Sequence, residues 1–331
     1  MASFETRRSR GSAVLGLALR LTALCVLASL ASAQQQPSVR GFAVERFYPS
    51  APGGGWFVMD DLNISGGLGG AVELTSGYAR KPLEVTSPDG KTRLTLVSDE
   101  AFADAGIAAT YERYRVYLNF PIPFLVSGHS GMLGPFQLNA PAVSVGTNPD
   151  AVSDPRIGFD MRLWGKPGGL LRLGAGAQLI FPIGDRADYV SDGRYRGMLR
   201  FLAAGDSRAF SYAVQLGVHI RPLNDSPAPG SPNGSEFLFG GSAGRRFTVA
   251  RDWTAIVGPE VFGETAFVSF FTPQQTGVEG LLTTRFERIG HGRNLRIKMA
   301  LGHGLVQNFG APQWRVLGGV ELFGEFSGHG K

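Results

Sequence analysis

The chain of 331 residues carries 32 Lys and Arg against 27 Asp and Glu, with one cysteine and 47 glycines. A single cysteine excludes a disulfide framework, and glycine at about twice its average share speaks against a helical enzyme. The first 33 residues hold four of the arginines and one glutamate; without them 28 basic residues face 26 acidic ones, so the balance implies no nucleic-acid partner.

Residues 1–33 read as a signal peptide. Arg7, Arg8 and Arg10 form a basic start, 14–30 is an apolar run, and Ala31-Ser32-Ala33 fits the small-residue cleavage rule. Cys25 lies inside the apolar run and follows Leu24, where a lipoprotein signal would need a smaller residue. The exported chain is therefore expected to have no thiol. No other stretch approaches the ~18 continuous apolar residues of a transmembrane helix, so any crossing of a membrane is by strands. Residues 34–65 form an amino-terminal segment in which Pro49, Pro52 and Gly53-Gly54-Gly55 rule out regular structure. It is expected either in the periplasm or as a plug in a barrel mouth.

The alternation begins at 66–80, where Leu68, Val72, Leu74 and Tyr78 oppose Glu73 and Thr75. A long polar loop is expected over 81–102. A hairpin follows, 103–111 and 115–126, turning at Glu112-Arg113 and showing Val116, Leu118, Phe120 and Ile122 on one face. After a loop over 127–155 comes the clearest pair. In 156–164, Ile157, Phe159, Met161 and Leu163 alternate with Arg156, Gly158, Asp160, Arg162 and Trp164. In 171–181, Leu171, Leu173, Ala175, Ala177, Leu179 and Phe181 alternate with Arg172, Gly174, Gly176, Gln178 and Ile180. Lys166-Pro167-Gly168-Gly169 is turn chemistry between them. Side chains on a strand point to opposite faces with period two, so each run is an amphipathic strand.

A loop holding Asp185, Asp188 and Asp192 leads into 195–204, and the connector 205–208 into 210–221. There Tyr212, Val214, Leu216, Val218 and Ile220 alternate with Ala213, Gln215, Gly217, His219 and Arg221. A proline-rich loop, 222–233, precedes 235–247 and 253–266. The last strands are 276–289, 294–306 and 314–324, with a short turn at 290–293 and a tail at 325–331. Twelve strands result, joined alternately by short turns and long loops. The expected fold is all-β: a twelve-stranded antiparallel up-and-down transmembrane β-barrel over 66–324, in the outer membrane of a Gram-negative cell. A soluble β-sandwich would need neither the alternation of loop lengths nor a charged face on nearly every strand.

Ser153-Asp154-Pro155-Arg156-Ile157-Gly158-Phe159 and Phe181-Pro182-Ile183-Gly184-Asp185 resemble motifs of a transporter-like outer-membrane barrel family, named for a role in the meta-pathway of phenol degradation. The family pattern has Gly where Ser153 stands, and Leu and Thr or Ser where Phe181 and Ile183 stand. Most of 45–323 also resembles the amino-terminal barrel of outer-membrane-protein-A-like proteins of myxobacteria; the runs beginning at Glu45, Leu94 and Gln215 carry this likeness. There, calcium-binding repeats and a peptidoglycan-binding domain often follow the barrel. Neither follows Gly324 here, so peptidoglycan anchoring is not carried over. The resemblance implies no catalytic residues and no cofactor.

Parity assigns a lumen-facing set: Arg115, Asp160, Arg162, Arg172, Gln178, Arg196, Arg200, Gln215, His219, Arg246, Glu260, Glu279, Arg285, Arg296, Lys298, Arg315 and Glu321. One reading is a porin-like path for small polar or anionic solutes, selected by the basic excess. The other is a structural or surface barrel whose lumen is closed by ion pairs, because unpaired buried charge is costly. Neither is enzymatic: no Ser or Asp is spaced to make His219 catalytic, and no histidine pair has metal-ligand spacing. The glycine runs at 67–70 and 174–176 do not open helices and are not phosphate loops. The loop at 185–192 lacks calcium-loop spacing. Trp56, Tyr114, Tyr117, Trp164, Tyr195, Trp253 and Trp314 are expected in interfacial girdles. The partners expected are outer-membrane lipid and the barrel-assembly machinery.

Overall fold

The computed structural model describes residues 40–64, 66–87, 90–146, 151–224, 234–290 and 294–326. The signal-peptide segment, Cys25, His291 and His329 lie outside them.

Alternation of apolar and polar side chains makes each strand two-faced, and a sheet of such strands is stable in lipid only if it closes and leaves no edge. The strands in chain order are β1 (Gly69–Thr86), β2 (Arg93–Tyr111), β3 (Tyr114–Ser127), β4 (Gly131–Leu133), β5 (Phe136–Leu138), β6 (Ala142–Ser144), β7 (Arg156–Trp164), β8 (Arg172–Ile180), β9 (Arg196–Asp206), β10 (Phe210–Ile220), β11 (Glu236–Ala250), β12 (Trp253–Ala266), β13 (Thr276–Arg288), β14 (Asn294–Val306) and β15 (Trp314–Glu325). β1, β2, β3 and β7 to β15 are the twelve staves. Each pairs antiparallel with its neighbours, and β1 closes on β15 with Leu74 opposite Val320. The closed twelve-stranded antiparallel barrel is as expected, and β7, β12 and β14 have the limits read from the pattern. The only helices among the described residues are the single 3₁₀ turns Phe267–Ser269 and Pro273–Gln275.

The two faces are chemically opposite. Leu74, Leu118, Phe159, Leu199, Phe201, Leu216, Leu282 and Leu301 are exposed on the outside, whereas the alternate residues bury arginines and carboxylates inside. Short turns gather at one end and long loops at the other. Apolar outside, polar inside and an even strand count are the pattern of an outer-membrane barrel.

Two departures from the expected pattern have physical causes. The loop expected over 81–102 is mostly strand: β1 and β2 continue as a tall hairpin at the long-loop end. Leu83, Val85, Leu96 and Val97 are buried there against Val126, Leu133, Leu138 and Val143, so these strands have a protein core above the lipid-facing wall. The loop expected over 127–155 folds into β4, β5 and β6. Pro121 and Pro123 in β3 cannot donate to a ladder. Accordingly β7 pairs with β3 only from Tyr114 to Asn119, and β6 takes up Leu125 to Ser127.

Residues 40–64 lie inside the barrel. Of the two placements open for the amino-terminal segment, the described part occupies the lumen, with Phe57, Met59 and Leu62 fully buried. Trp56 is buried there too, and Tyr117 points inward at 2% exposure, so neither belongs to a girdle. Tyr114, Trp164, Tyr195 and Trp314 are outside and exposed.

Candidate functional site: the occupied lumen

The lumen is where the charged chemistry collects, and the plug threads it from end to end. Its first residues sit at the long-loop end. The Ala43 amide donates to Asp192 Oδ1 at 2.8 Å, and the Val44 amide to the Tyr189 carbonyl at 3.0 Å. Asp192 is clamped by Arg221 at 2.7 Å and lies 3.7 Å from Arg196. Burial would raise the Asp192 carboxyl, but Arg221 and Arg196 overcome it and hold the group well below the usual carboxylate range.

One turn lower, Glu45 takes both Arg315 Nη atoms at 2.8 and 2.9 Å, while Arg315 Nε donates to Glu279 at 2.8 Å. Arg46 donates to both carboxylate oxygens of Glu236 at 3.1 Å. Glu236 also receives Arg221 at 2.7 Å. Arg196 bonds the Tyr48 hydroxyl at 2.9 Å and Asp154 at 2.9 Å, and Arg156 donates to the Pro49 carbonyl at 2.9 Å.

At mid-height the Glu260 carboxylate accepts three successive plug amides, from Phe57 and Val58 at 3.0 Å and Met59 at 3.3 Å. Thr283 fixes the same carboxylate at 2.7 Å. Lys298 reaches Glu73 at 2.6 Å and the Trp56 carbonyl at 3.3 Å. Near the short-turn end Arg115 bridges Asp60 of the plug to Asp160, the latter at 2.7 Å. Arg200 meets Asp160 at 3.0 Å. Asp61 lies 3.6 Å from Arg285 and 3.8 Å from Arg296, and its carbonyl accepts Arg172 at 2.7 Å. Arg162 caps the Ile64 carbonyl, and Asn63 accepts the Gly168 amide at 2.7 Å, where the plug leaves the lumen.

Of the residues assigned to the lumen by parity, Arg246 is only half-buried, beside Asp206 at 2.8 Å. Arg115, Asp160, Arg162, Arg172, Arg196, Arg200, Gln215, His219, Glu260, Glu279, Arg285, Arg296, Lys298 and Arg315 all point inward and are buried. Residues 40–64 run between them, and the space left is uneven: a cavity of about 360 Å³ opens at the short-turn end beside Arg115, Gly53 and Ile64, and those deeper in the lumen are small. A cavity of about 20 Å³ beside Gln178, Arg200 and Gln215 has room for roughly one water. Another of about 60 Å³ lies between Tyr48, Pro49, Asp104 and Arg156.

The expected basic excess is also corrected. Among the described residues, twelve buried Arg and Lys face fifteen buried Asp and Glu. The acids not counted from the strands are supplied by the plug (Asp60, Asp61), by loops (Asp154, Asp192) and by further inward positions (Glu73, Glu100, Asp104, Asp206, Glu236, Glu264, Glu287). Glu264 and Glu287 share parity with Glu260 and Glu279 and were findable. The plug's role had no signal in the alternation, because the plug has none.

His219 is drawn into a cluster that spacing in sequence did not show. It offers Nδ1 to Glu264 at 3.0 Å, and His219, Glu236 and Glu264 bring one donor atom each within 4.8 Å of one another. The cluster does not suit a cation, because Arg46 and Arg221 already lie against its carboxylates.

No protein-family model matches the chain, and no curated protein matches it in sequence. The resemblance read from 153–159 and 181–185 therefore rests on those residues alone. Among solved structures, the NanC porin is similar at 5% identity over 77% of this chain and 100% of that one, with a TM-score of 0.45. The translocator domain of the autotransporter NalP from Neisseria meningitidis is similar at 11% identity, covering 79% of this chain and 89% of its own, with a TM-score of 0.41. LpxR from Salmonella typhimurium is similar at 9% identity, covering 77% and 100%, with a TM-score of 0.37.

Proposed function

We propose that this chain is a sealed, non-enzymatic barrel of the outer membrane, a structural and surface-presenting component of the cell envelope rather than a standing pore. Its partners are outer-membrane lipid and the barrel-assembly machinery. One observation carries the reading: residues 40–64 fill the lumen and are pinned at every height by buried charge. Arg46–Glu236 holds the upper part, Glu260 the middle and Asp60–Arg115 the lower part. Removing one partner of a buried pair strands the other, so the plug has no inexpensive way out. Passage of small polar or anionic solutes would require that whole set of contacts to break together.

Planar bilayers test this. Purified protein whose folded state is verified by heat-modifiable migration should leave the bilayer silent at moderate voltage. Discrete, long-lived conductance steps from the unmodified protein would overturn the proposal in favour of a porin-like channel.

A further inference from the structure

The direction of the plug has a topological consequence. The strand that follows it, β1, starts at the short-turn end, and the plug leaves the lumen at that end beside the β7–β8 turn, where Asn63 accepts the Gly168 amide. Its other end is held at the opposite mouth. The Gly41 carbonyl accepts Arg186 Nε at 2.6 Å, Ala43 bonds Asp192, and Val44 bonds Tyr189. All three partners belong to the long loop between β8 and β9. Phe42 packs edge-on against Tyr189 at 5.8 Å and against Phe309 of the β14–β15 loop at 6.4 Å. Arg40, the residue ahead of this anchor, is exposed.

Outer-membrane barrels turn their short connections to the periplasm and their long loops to the outside. We infer that the amino-terminal end of the plug, at Arg40, opens on the cell surface, so that the barrel exposes one end of its own plug outside the cell. The anchor at 41–44 is built from loop residues, which keeps the exit at the rim and clear of the lipid-facing wall.

The inference rests on threading and not on whether the barrel conducts, and the test separates the two. In full-length protein carrying Cys25→Ser, single cysteines are placed at Arg40, at Ala187 in the long β8–β9 loop and at Arg208 in the short β9–β10 turn. Intact cells are treated with a membrane-impermeant maleimide, and the folded band is scored before and after lysis. Arg40→Cys and Ala187→Cys should label equally in intact and lysed cells, and Arg208→Cys only after lysis. Labelling of Arg40→Cys only after lysis, with Ala187→Cys labelled in intact cells, would overturn the inference while leaving the sealed lumen standing. Labelling of Arg208→Cys but not Ala187→Cys in intact cells would invert the barrel and overturn it as well.

Discussion

Arg46 of the plug and Glu236 at the start of β11 are 190 positions apart in sequence and 3.1 Å apart in space, at 4% and 0% exposure. Glu236 also serves Arg221 and faces His219 at 3.7 Å. Glu236→Gln should therefore leave two guanidiniums short of a counter-charge and cost about 3–5 kcal/mol. Arg80→Ala breaks the pair with Asp99, in which the arginine side chain is 40% exposed, and should cost about 0–1 kcal/mol. Urea titration of the folded barrel in detergent, followed by heat-modifiable migration, measures both. Equal shifts would show that the lumen is wet enough to screen its charges.

The plug loop supplies a second contrast. Gly55 has φ +93°, a left-handed conformation that glycine tolerates, and a Cβ there would strike Arg285 Nη1 and the Asp61 carboxylate. Gly168, in the β7–β8 turn, has φ +67° and open space around it. Both alanine substitutions incur backbone strain, of the order of 1 kcal/mol or more. Only Gly55→Ala also unseats the plug, so it should raise protease cleavage of the amino-terminal segment and produce flickering conductance. Gly168→Ala should do neither.

How much of this was legible beforehand follows from where periodicity operates. Lipid on one side and charge on the other force a period of two, and that period places Arg115, His219 and Lys298 inside and Leu216 outside. The tall β1–β2 hairpin was missed because Leu83, Val85, Leu96 and Val97 pack against loops rather than lipid, in a stretch interrupted by Pro82 and Pro88. The plug was harder still. Trp56, Phe57 and Met59 are buried without secondary structure, held by a Glu260 carboxylate some 200 residues away, and no local pattern records such a contact. Counting charge from the strands alone consequently missed Asp60 and Asp61 and suggested a basic lumen.

The outward face makes its own prediction. Leu216 is 48% exposed midway along β10, and Phe210 is 55% exposed at the strand's first position. An arginine on the lipid face costs about 2–4 kcal/mol at the bilayer midplane and about 0–1 near the interface. Leu216→Arg should reduce the folded barrel recovered from membranes, or lower its unfolding midpoint in lipid vesicles, far more than Phe210→Arg. Indifference at both sites would mean that water, not lipid, bathes the outer face.

Acid tests the upper anchor. Burial favours the neutral form of Asp192, yet Arg221 and Arg196 keep its folded-state pKa well below the unfolded value of about 3.9. A carboxyl depressed in this way contributes stability that is complete above the unfolded pKa. The contribution shrinks as pH falls below it and is gone once pH passes below the folded pKa. The wild-type protein should therefore exceed Asp192→Asn in stability by a constant amount from pH 7 down to about pH 5, and the gap should narrow steadily below about pH 4. Arg221→Ala, by removing the nearest counter-charge, raises the folded-state pKa and should shrink the gap and end its narrowing at a higher pH, while the onset stays at the unfolded pKa. The measurement is the urea midpoint of the folded barrel at each pH. A gap that stays flat from pH 6 to pH 2 would show that the Asp192–Arg221 clamp does not hold the plug's entry closed.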